Sequence, residues 1–159
     1  MAGDSELRRQ LVELLRGGHA HATFDQTVKG FPQDLLAVRP AGMPHSAWEL
    51  LEHLRITQND ILLFSTQSNY VSPKWPEGYW PSAAGPDGVA EWAQSVKLFL
   101  ADLAAMESLV LDESKDLHAP FPWGDGQTLL REALLVADHT SYHLGQLLLV
   151  RRALGAWPA

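Results

Sequence analysis

One stretch of the chain repeats apolar residues at the spacing of an α-helix, and this repeat limits the possible folds more than any other feature. Between positions 89 and 110 the apolar side chains follow one another at alternating intervals of three and four residues. An α-helix turns once in 3.6 residues, so this spacing places them on one face. They are Val89, Trp92, Val96, Phe99, Leu103, Met106 and Val110. The pattern predicts an amphipathic helix that starts near Asp87 and packs against other helices.

Three further segments show helical patterns. The first runs from about residue 5 to 28, although Gly17 and Gly18 interrupt it at a cost of roughly 1 kcal/mol each. The second runs from Ser46 to about residue 65, and its first residues form the S-x-x-E pattern of a capping box. The last extends from near Thr128 to residue 155 and is apolar on nearly every side. We therefore expect the last helix to be the most buried one.

Long segments rich in proline and glycine separate these helices, at roughly residues 30–45, 66–86 and 112–127. We find no alternation of apolar and polar residues typical of strands, and no internal repeat. The sequence therefore predicts an all-α fold: a four-helix bundle with long crossover loops, forming a single domain over residues 1–159. The aromatic loops at 75–80 and 120–123 could form an apolar rim over a site, pack over the bundle ends or make a dimer contact.

Composition and charge exclude several classes of protein. The chain has 12 Lys and Arg against 19 Asp and Glu, and its net charge of −7 argues against a nucleic-acid partner. No run of 18 apolar residues is present, so no membrane span is predicted. The first residues carry charges and no apolar run, which argues against a secretory signal and favours a cytoplasmic protein. The absence of cysteine excludes disulfides, cysteine-ligated metals and cysteine nucleophiles. Any metal must therefore bind to His, Asp or Glu.

Two histidines one turn apart are the sharpest chemical signal. His139 and His143 are four residues apart on the last helix, so their rings share a face and both can reach one metal ion. Such a pair can also be ordinary polar packing. Because this helix is otherwise nearly all apolar, and a buried imidazole without a partner is costly, something must satisfy these rings, and a metal ion would do so. Thr140 stands where a metalloprotease H-E-x-x-H motif has its glutamate, so that motif's general base is missing.

A third ligand should come from another helix. His53 is the best candidate, since it lies near the inward face of the second helix, although alone it would read as a satisfied core histidine. His21 lies on the apolar face of the first helical pattern and either lines a cofactor pocket or simply packs. The other three histidines flank helices or lie in loops, and we expect them to be solvated. They are His19, His45 and His118.

These histidines and their neighbours resemble the DinB-like (DinB/YfiT) family of bacterial four-helix-bundle metalloproteins. The resemblance covers essentially the whole chain and is carried by His53 within Trp48-Glu49-Leu50-Leu51-Glu52-His53-Leu54, and by Asp138-His139 with His143-Leu144-Gly145-Gln146. It implies one metal ion, usually zinc or nickel, on three histidines, with one position open for water or substrate. In this sequence those ligands would be His53, His139 and His143. The family's name comes from a DNA-damage-inducible gene and is no evidence for DNA chemistry.

Characterised relatives in that family include metal-dependent transferases that join low-molecular-weight thiols, such as bacillithiol or mycothiol, to electrophiles. Three neutral histidines leave a dication's charge uncompensated, so such an ion can lower the pKa of a bound water to about 7 or deprotonate a thiol. The first interpretation is therefore a metal-dependent enzyme whose nucleophile is a metal-bound thiolate. The alternatives are a hydrolase that uses metal-bound hydroxide and a non-catalytic metal-binding or stress-related protein. A fourth ligand from His21 would argue against an enzyme.

Several other groups could assist at such a site. Asp60 follows His53 by two helical turns and is a candidate catalytic acid or base. Glu49, one turn before His53, is another, although acids at such positions are more often structural groups than general bases. Tyr142 adjoins His143 and could donate a hydrogen bond to a bound anion, or could simply pack. The expected partners are a small-molecule substrate such as a low-molecular-weight thiol, and a second copy of the chain in a homodimer.

Overall fold

The computed structural model describes residues 2–157, which form an all-helical fold without strands in that range. Four long helices make a bundle and one short helix packs against it. They are α1 (Ala2–Arg16), the short α2 (Phe24–Val28), α3 (Ala47–Thr66), α4 (Val89–Leu111) and α5 (Leu129–Ala153). The predicted all-α four-helix bundle with long crossover segments is confirmed. None of these helices is long and apolar enough to cross a lipid bilayer.

The starts of α3 and α5 follow the sequence signals. Ser46 Oγ accepts a hydrogen bond from Glu49 N at 3.2 Å, while the Glu49 carboxylate accepts one from Ser46 N at 2.8 Å, which completes the predicted capping box. Thr128 caps α5 by accepting from Arg131 N at 3.2 Å. The N-cap of α4 is Gly88, at a φ of 84° that glycine adopts freely, rather than Asp87.

The prediction of one helix from about residue 5 to 28 is wrong for the part after Arg16. α1 ends at Arg16, and the chain then passes through Gly17 and Gly18 with φ values of 66° and 91°. These left-handed conformations stop a right-handed helix. A new helix, α2, begins only after Thr23, whose side chain forms a capping box with Gln26. His21 therefore lies in the connection between α1 and α2 and not on a helical face.

Two apolar clusters fill the bundle, and together they show how the long helices run. The first cluster combines the early residues of α3 and α4, such as Leu50 and Phe99, with the late residues of α5. The second combines α1 with the later residues of α3 and α4, such as Ile61 and Met106, and the early residues of α5. Hence α3 and α4 run in one direction and α5 runs in the other. The segment 67–88 must return along α3, where Ser46 Oγ donates to the carbonyl of Ala84 at 2.8 Å.

A polar layer lies where the two apolar clusters meet. On α3 the last residue of the first cluster is Leu54, and the first residue of the second cluster is Ile61. On α5 the last residue of the second cluster is Ala137, and the first residue of the first cluster is Leu144. The residues between these limits are largely polar on both helices. They include four of the residues that the sequence singles out, Asp60, His139, Tyr142 and His143, while His53 lies at the edge of the layer, one residue before Leu54.

The prediction that α5 is the most buried helix is wrong. Every residue from 46 to 54, the N-cap and first turns of α3, is buried, because α4, α5 and the returning segment 67–88 cover that helix. The outer face of α5 instead exposes Leu134, Tyr142 and Leu149, which are 44, 65 and 53 % accessible. The loop at 120–123 packs over the end of α3, where Trp123 Nε1 donates to the carbonyl of Phe64 at 2.8 Å.

Candidate metal centre

Three histidines from two antiparallel helices meet in the polar layer. His53 projects from α3, and His139 and His143 project from successive turns of α5. The Nε2 atom of His53 lies 3.1 Å from the Nε2 atoms of both His139 and His143. Possible ligand atoms of all three lie within 4.8 Å of one another. The structure thus brings together the three residues that the sequence predicts as metal ligands.

The outer nitrogens of two of these rings have hydrogen-bond partners that fix their tautomers. His53 Nδ1 lies 2.8 Å from the backbone carbonyl of Tyr79, which can only accept, so this nitrogen carries the proton. His143 Nδ1 lies 2.8 Å from the side-chain oxygen Oε1 of Gln146 and is protonated for the same reason. In a neutral ring the other nitrogen then has a free lone pair. Both Nε2 atoms therefore present lone pairs to the shared centre.

The three rings are neutral at ordinary pH. Burial, together with the nearby His143 and His53, lowers the pKa of His139 to about 3. Burial is also the main cause that lowers the pKa of His143 to about 4 and that of His53 below its usual value. The lone pairs on Nε2 of His53 and Nε2 of His143 consequently face each other at 3.1 Å. A proton on Nε2 of His139 would remove the repulsion between His139 and His53, but the repulsion between His53 and His143 would remain. Such an arrangement is repulsive unless a cation lies between the nitrogens.

The donor set therefore fits a divalent metal ion, which would accept all three lone pairs. Neutral imidazole nitrogen is a common ligand for zinc and nickel, and metal-bound histidine usually donates its other N–H to a carbonyl or amide oxygen. His53 and His143 have such acceptors in Tyr79 and Gln146. Within residues 2–157 the cluster of possible ligands contains these three histidines and no carboxylate. One or more coordination positions would stay open to a water or a substrate.

Tyr79 connects His53 to Asp60. While its carbonyl accepts from His53 Nδ1, its hydroxyl donates to Asp60 Oδ2 at 2.8 Å. Burial and the hydrogen bond to Asp60 raise the pKa of Tyr79 to about 12, so the phenol remains a donor at neutral pH. Tyr70 also faces Asp60, and burial together with the charge of Asp60 raises its pKa to about 12. Asp60 thus anchors the segment that supports His53.

Comparison with known proteins agrees with the geometry. A family model, that of the DinB superfamily, matches residues 18–147. The chain belongs to the DinB superfamily. The matched range contains α2, α3, α4 and α5 as far as residue 147, and therefore all three histidines. Neither the curated proteins nor the solved structures contain a match to this chain.

Membership of the superfamily does not assign the residues around the histidines, and sequence analysis missed several of them. Trp80 stacks on His53 with ring centroids 4.0 Å apart and an interplanar angle of 1°. Trp80 also stacks on His45 at 4.1 Å and 17°, so His45 lies beside the site and is not the solvated loop residue that we expected. Neither residue carries a helical pattern, and only the aromatic content of the 75–80 loop hinted at this contact.

The remaining candidates lie around this centre in different ways. His21 is exposed, and its two ring nitrogens lie 2.9 Å from the carbonyl of Ala22 and 3.3 Å from Ser141 Oγ, so it does not join the three histidines. Tyr142 sits edge-on against His143 with centroids 4.8 Å apart and is 65 % exposed. Glu49 is occupied by the α3 cap and by an ion pair with Arg39. Although burial opposes this, hydrogen bonds from Arg39 and Ser46 hold the pKa of Glu49 below its usual value.

Two buried oxygen atoms next to His53 lack partners. Thr57 Oγ1 and Asp60 Oδ1 are inaccessible and have no hydrogen bond within the described part of the chain. They follow His53 by one and two turns of α3, so all three side chains share a face of that helix. Because an unpaired buried polar atom costs about 1–3 kcal/mol, their position beside the histidines marks this layer as unfavourable for stability.

Proposed function

We propose that this DinB-superfamily protein is a metal-dependent enzyme that joins a low-molecular-weight thiol to an electrophile. The observation that carries the proposal is the convergence of three neutral histidine Nε2 atoms, two of them with tautomers fixed by Tyr79 and Gln146. Among the described residues no fourth protein ligand joins them. Structural zinc sites normally have four protein ligands, whereas catalytic ones keep a position open. Three ligands therefore favour chemistry over a purely structural role.

The chain itself supplies the geometry of the site. His53, His139 and His143 would hold the ion, and a zinc or nickel ion bound there would supply the Lewis acidity that lowers the pKa of a thiol or a water. We propose that Asp60 is a positioning residue, since it reaches His53 only through Tyr79. Tyr142, which is exposed beside His143, is available to donate a hydrogen bond to an anionic group of the substrate.

The reaction balances without a further co-reactant. The thiol loses its proton to solvent, and its sulfur forms a bond to an electrophilic carbon. A leaving group departs from that carbon with the electron pair of its former bond. Because the chain contains no cysteine, the reacting sulfur must belong to the substrate. The homodimeric state and the cytoplasmic location of the protein stay predictions from the sequence.

The test combines metal analysis with a thiol-transfer assay. We expect about one divalent ion per chain by elemental analysis of the purified protein, and metal-dependent conjugation of at least one small thiol to a chromogenic aryl chloride. His139→Ala should lose the ion and the activity. His118→Ala is the matched control, because His118 is an exposed loop residue far in sequence from the ligands. It should retain both.

Three outcomes would contradict the proposal in different ways. No bound metal, with equal metal uptake by the wild type and His139→Ala, would exclude the site itself. A bound ion with metal-dependent ester hydrolysis but no thiol transfer would favour the hydrolase that uses hydroxide. A bound ion without turnover of any thiol or ester would favour a non-catalytic metal-binding protein.

A further inference from the structure

A small apolar cavity of about 130 Å³ lies between α3, α5 and the loop before α3. It is located one helical turn beyond the ligands on both helices that carry them, since Leu50 precedes His53 by three residues and Gln146 follows His143 by three. The loop before α3 covers its other side. The lining residues are Met43, Pro44, His45, Leu50, Gln146, Leu149 and Val150.

The two polar residues of the cavity are both connected to the candidate metal ligands. Gln146 uses its side-chain oxygen to accept from His143 Nδ1, which leaves its amide NH₂ as a donor for another group. His45 stacks on Trp80, and Trp80 stacks on His53. The side chains of Gln146 and His45 therefore connect the wall of the cavity to the histidine cluster.

We propose that this cavity binds an apolar group of the substrate, either an aryl ring or a branched alkyl chain, while a polar atom of the same molecule reaches the histidine cluster. The volume supports this class of group, because an apolar protein cavity of about 150 Å³ accepts benzene. Five of the seven lining side chains are apolar, and a few convergent polar groups are typical of small-molecule sites. Leu149 is 53 % exposed, so the cavity has an entrance from solvent. This inference rests on the proposed function for the identity of its ligand as substrate.

The first experiment measures the cavity without any metal. Binding of benzene to the metal-free protein is followed by ligand-observed NMR in the wild type and three variants. Leu149→Trp should fill the cavity and weaken benzene binding about tenfold or more. Leu149→Ala should keep binding, since it leaves the cavity open. Leu134→Trp is the matched control, because Leu134 is a comparably exposed leucine about 22 Å away along α5, and it should bind like the wild type.

The second experiment adds the metal and a thiol. Protein loaded with cobalt(II) is titrated with benzyl mercaptan and with ethanethiol, and thiolate binding is followed by its charge-transfer absorption. The wild type should prefer benzyl mercaptan by about tenfold. Leu149→Trp should lose this preference and still bind ethanethiol, whereas Leu134→Trp should keep the preference.

The two experiments separate a failure of this inference from a failure of the proposed function. Equal benzene binding by the wild type and Leu149→Trp, or no benzene binding at all, would overturn the cavity assignment even if both thiols bind cobalt. Benzene binding that Leu149→Trp abolishes, in a protein whose cobalt spectrum no thiol changes, would support the cavity and overturn the thiol chemistry.

Discussion

Replacing Tyr79 by Phe would test whether the segment 67–88 holds His53 in position. The change removes a 2.8 Å hydrogen bond from the phenol to Asp60 Oδ2 and leaves that oxygen without its donor, beside the already unpartnered Oδ1. A hydrogen bond to a charged group contributes about 1.5–3 kcal/mol. We therefore expect the free energy of unfolding of the metal-free protein to fall by about 2 kcal/mol.

Metal binding should weaken as well, because the Tyr79 carbonyl orients His53. Loss of a group that supports a metal-bound histidine typically lowers affinity about 10–100-fold, and we expect the lower end since the carbonyl itself remains. Tyr70→Phe is the matched control. It also removes a hydroxyl that faces Asp60, but the carbonyl that supports His53 belongs to Tyr79. Urea denaturation gives the stability, and competition with a chromogenic chelator gives the affinity for zinc.

The two variants must differ in metal affinity for this reasoning to hold. We expect both to be less stable than the wild type and only Tyr79→Phe to bind zinc about tenfold more weakly. Equal affinity in Tyr79→Phe and the wild type would mean that the phenol does not position His53. Equal weakening in Tyr79→Phe and Tyr70→Phe would mean that Asp60 acts through its charge and not through Tyr79.

Two further changes test the packing around the site. Burial raises the pKa of Glu132, although the hydrogen bond from Arg131 opposes this shift. The folded state therefore holds this proton more tightly than the unfolded chain, and the ionised carboxyl costs stability as the pH rises through its folded pKa. Glu132→Gln should stabilise the protein at pH 7, and the difference should disappear below pH 4.5, as measured by urea denaturation across that range. Arg151 is 2 % exposed and donates to the carbonyls of Thr27 and Ala156 at 2.6 and 2.9 Å. Arg151→Met should therefore lower the free energy of unfolding by about 3 kcal/mol in the same urea denaturation experiment. Arg152→Met, at an exposed position, should change it by less than about 1 kcal/mol.

The sequence was most informative where structure and chemistry depend on one helix. The spacing from Val89 to Val110 predicts α4 to within a residue or two, and the capping box at Ser46 locates the start of α3. The pair His139 and His143 is read directly from a four-residue interval. In each case the signal is local, because a helical period or a cap involves residues that are near in sequence.

Prediction failed where position depends on how distant segments pack. The path of the segment 67–88 brings Tyr79 and Trp80 onto His53, and it follows from α3 and α4 running in the same direction, which no periodicity encodes. His45 is beside the site only because Trp80 returns to it. The break after Arg16 was visible as Gly17-Gly18, but the apolar period continued through it and outweighed the glycines in our interpretation.

The position of the site along the bundle follows from the division of the core. An apolar core would be most stable if its two clusters were continuous, yet between Leu54 and Ile61 on α3, and between Ala137 and Leu144 on α5, the chain places polar side chains. The cost is visible in the opposed lone pairs of His53 and His143 and in the unpartnered oxygens of Thr57 and Asp60. An ion held by the three histidines would remove the repulsion between the lone pairs of His53 and His143. An ion that binds the folded chain and not the unfolded one would stabilise the bundle by about 2.7 kcal/mol at one hundred times its dissociation constant. The layer that disfavours a metal-free fold is thus the layer through which an ion at His53, His139 and His143 would couple its binding to folding.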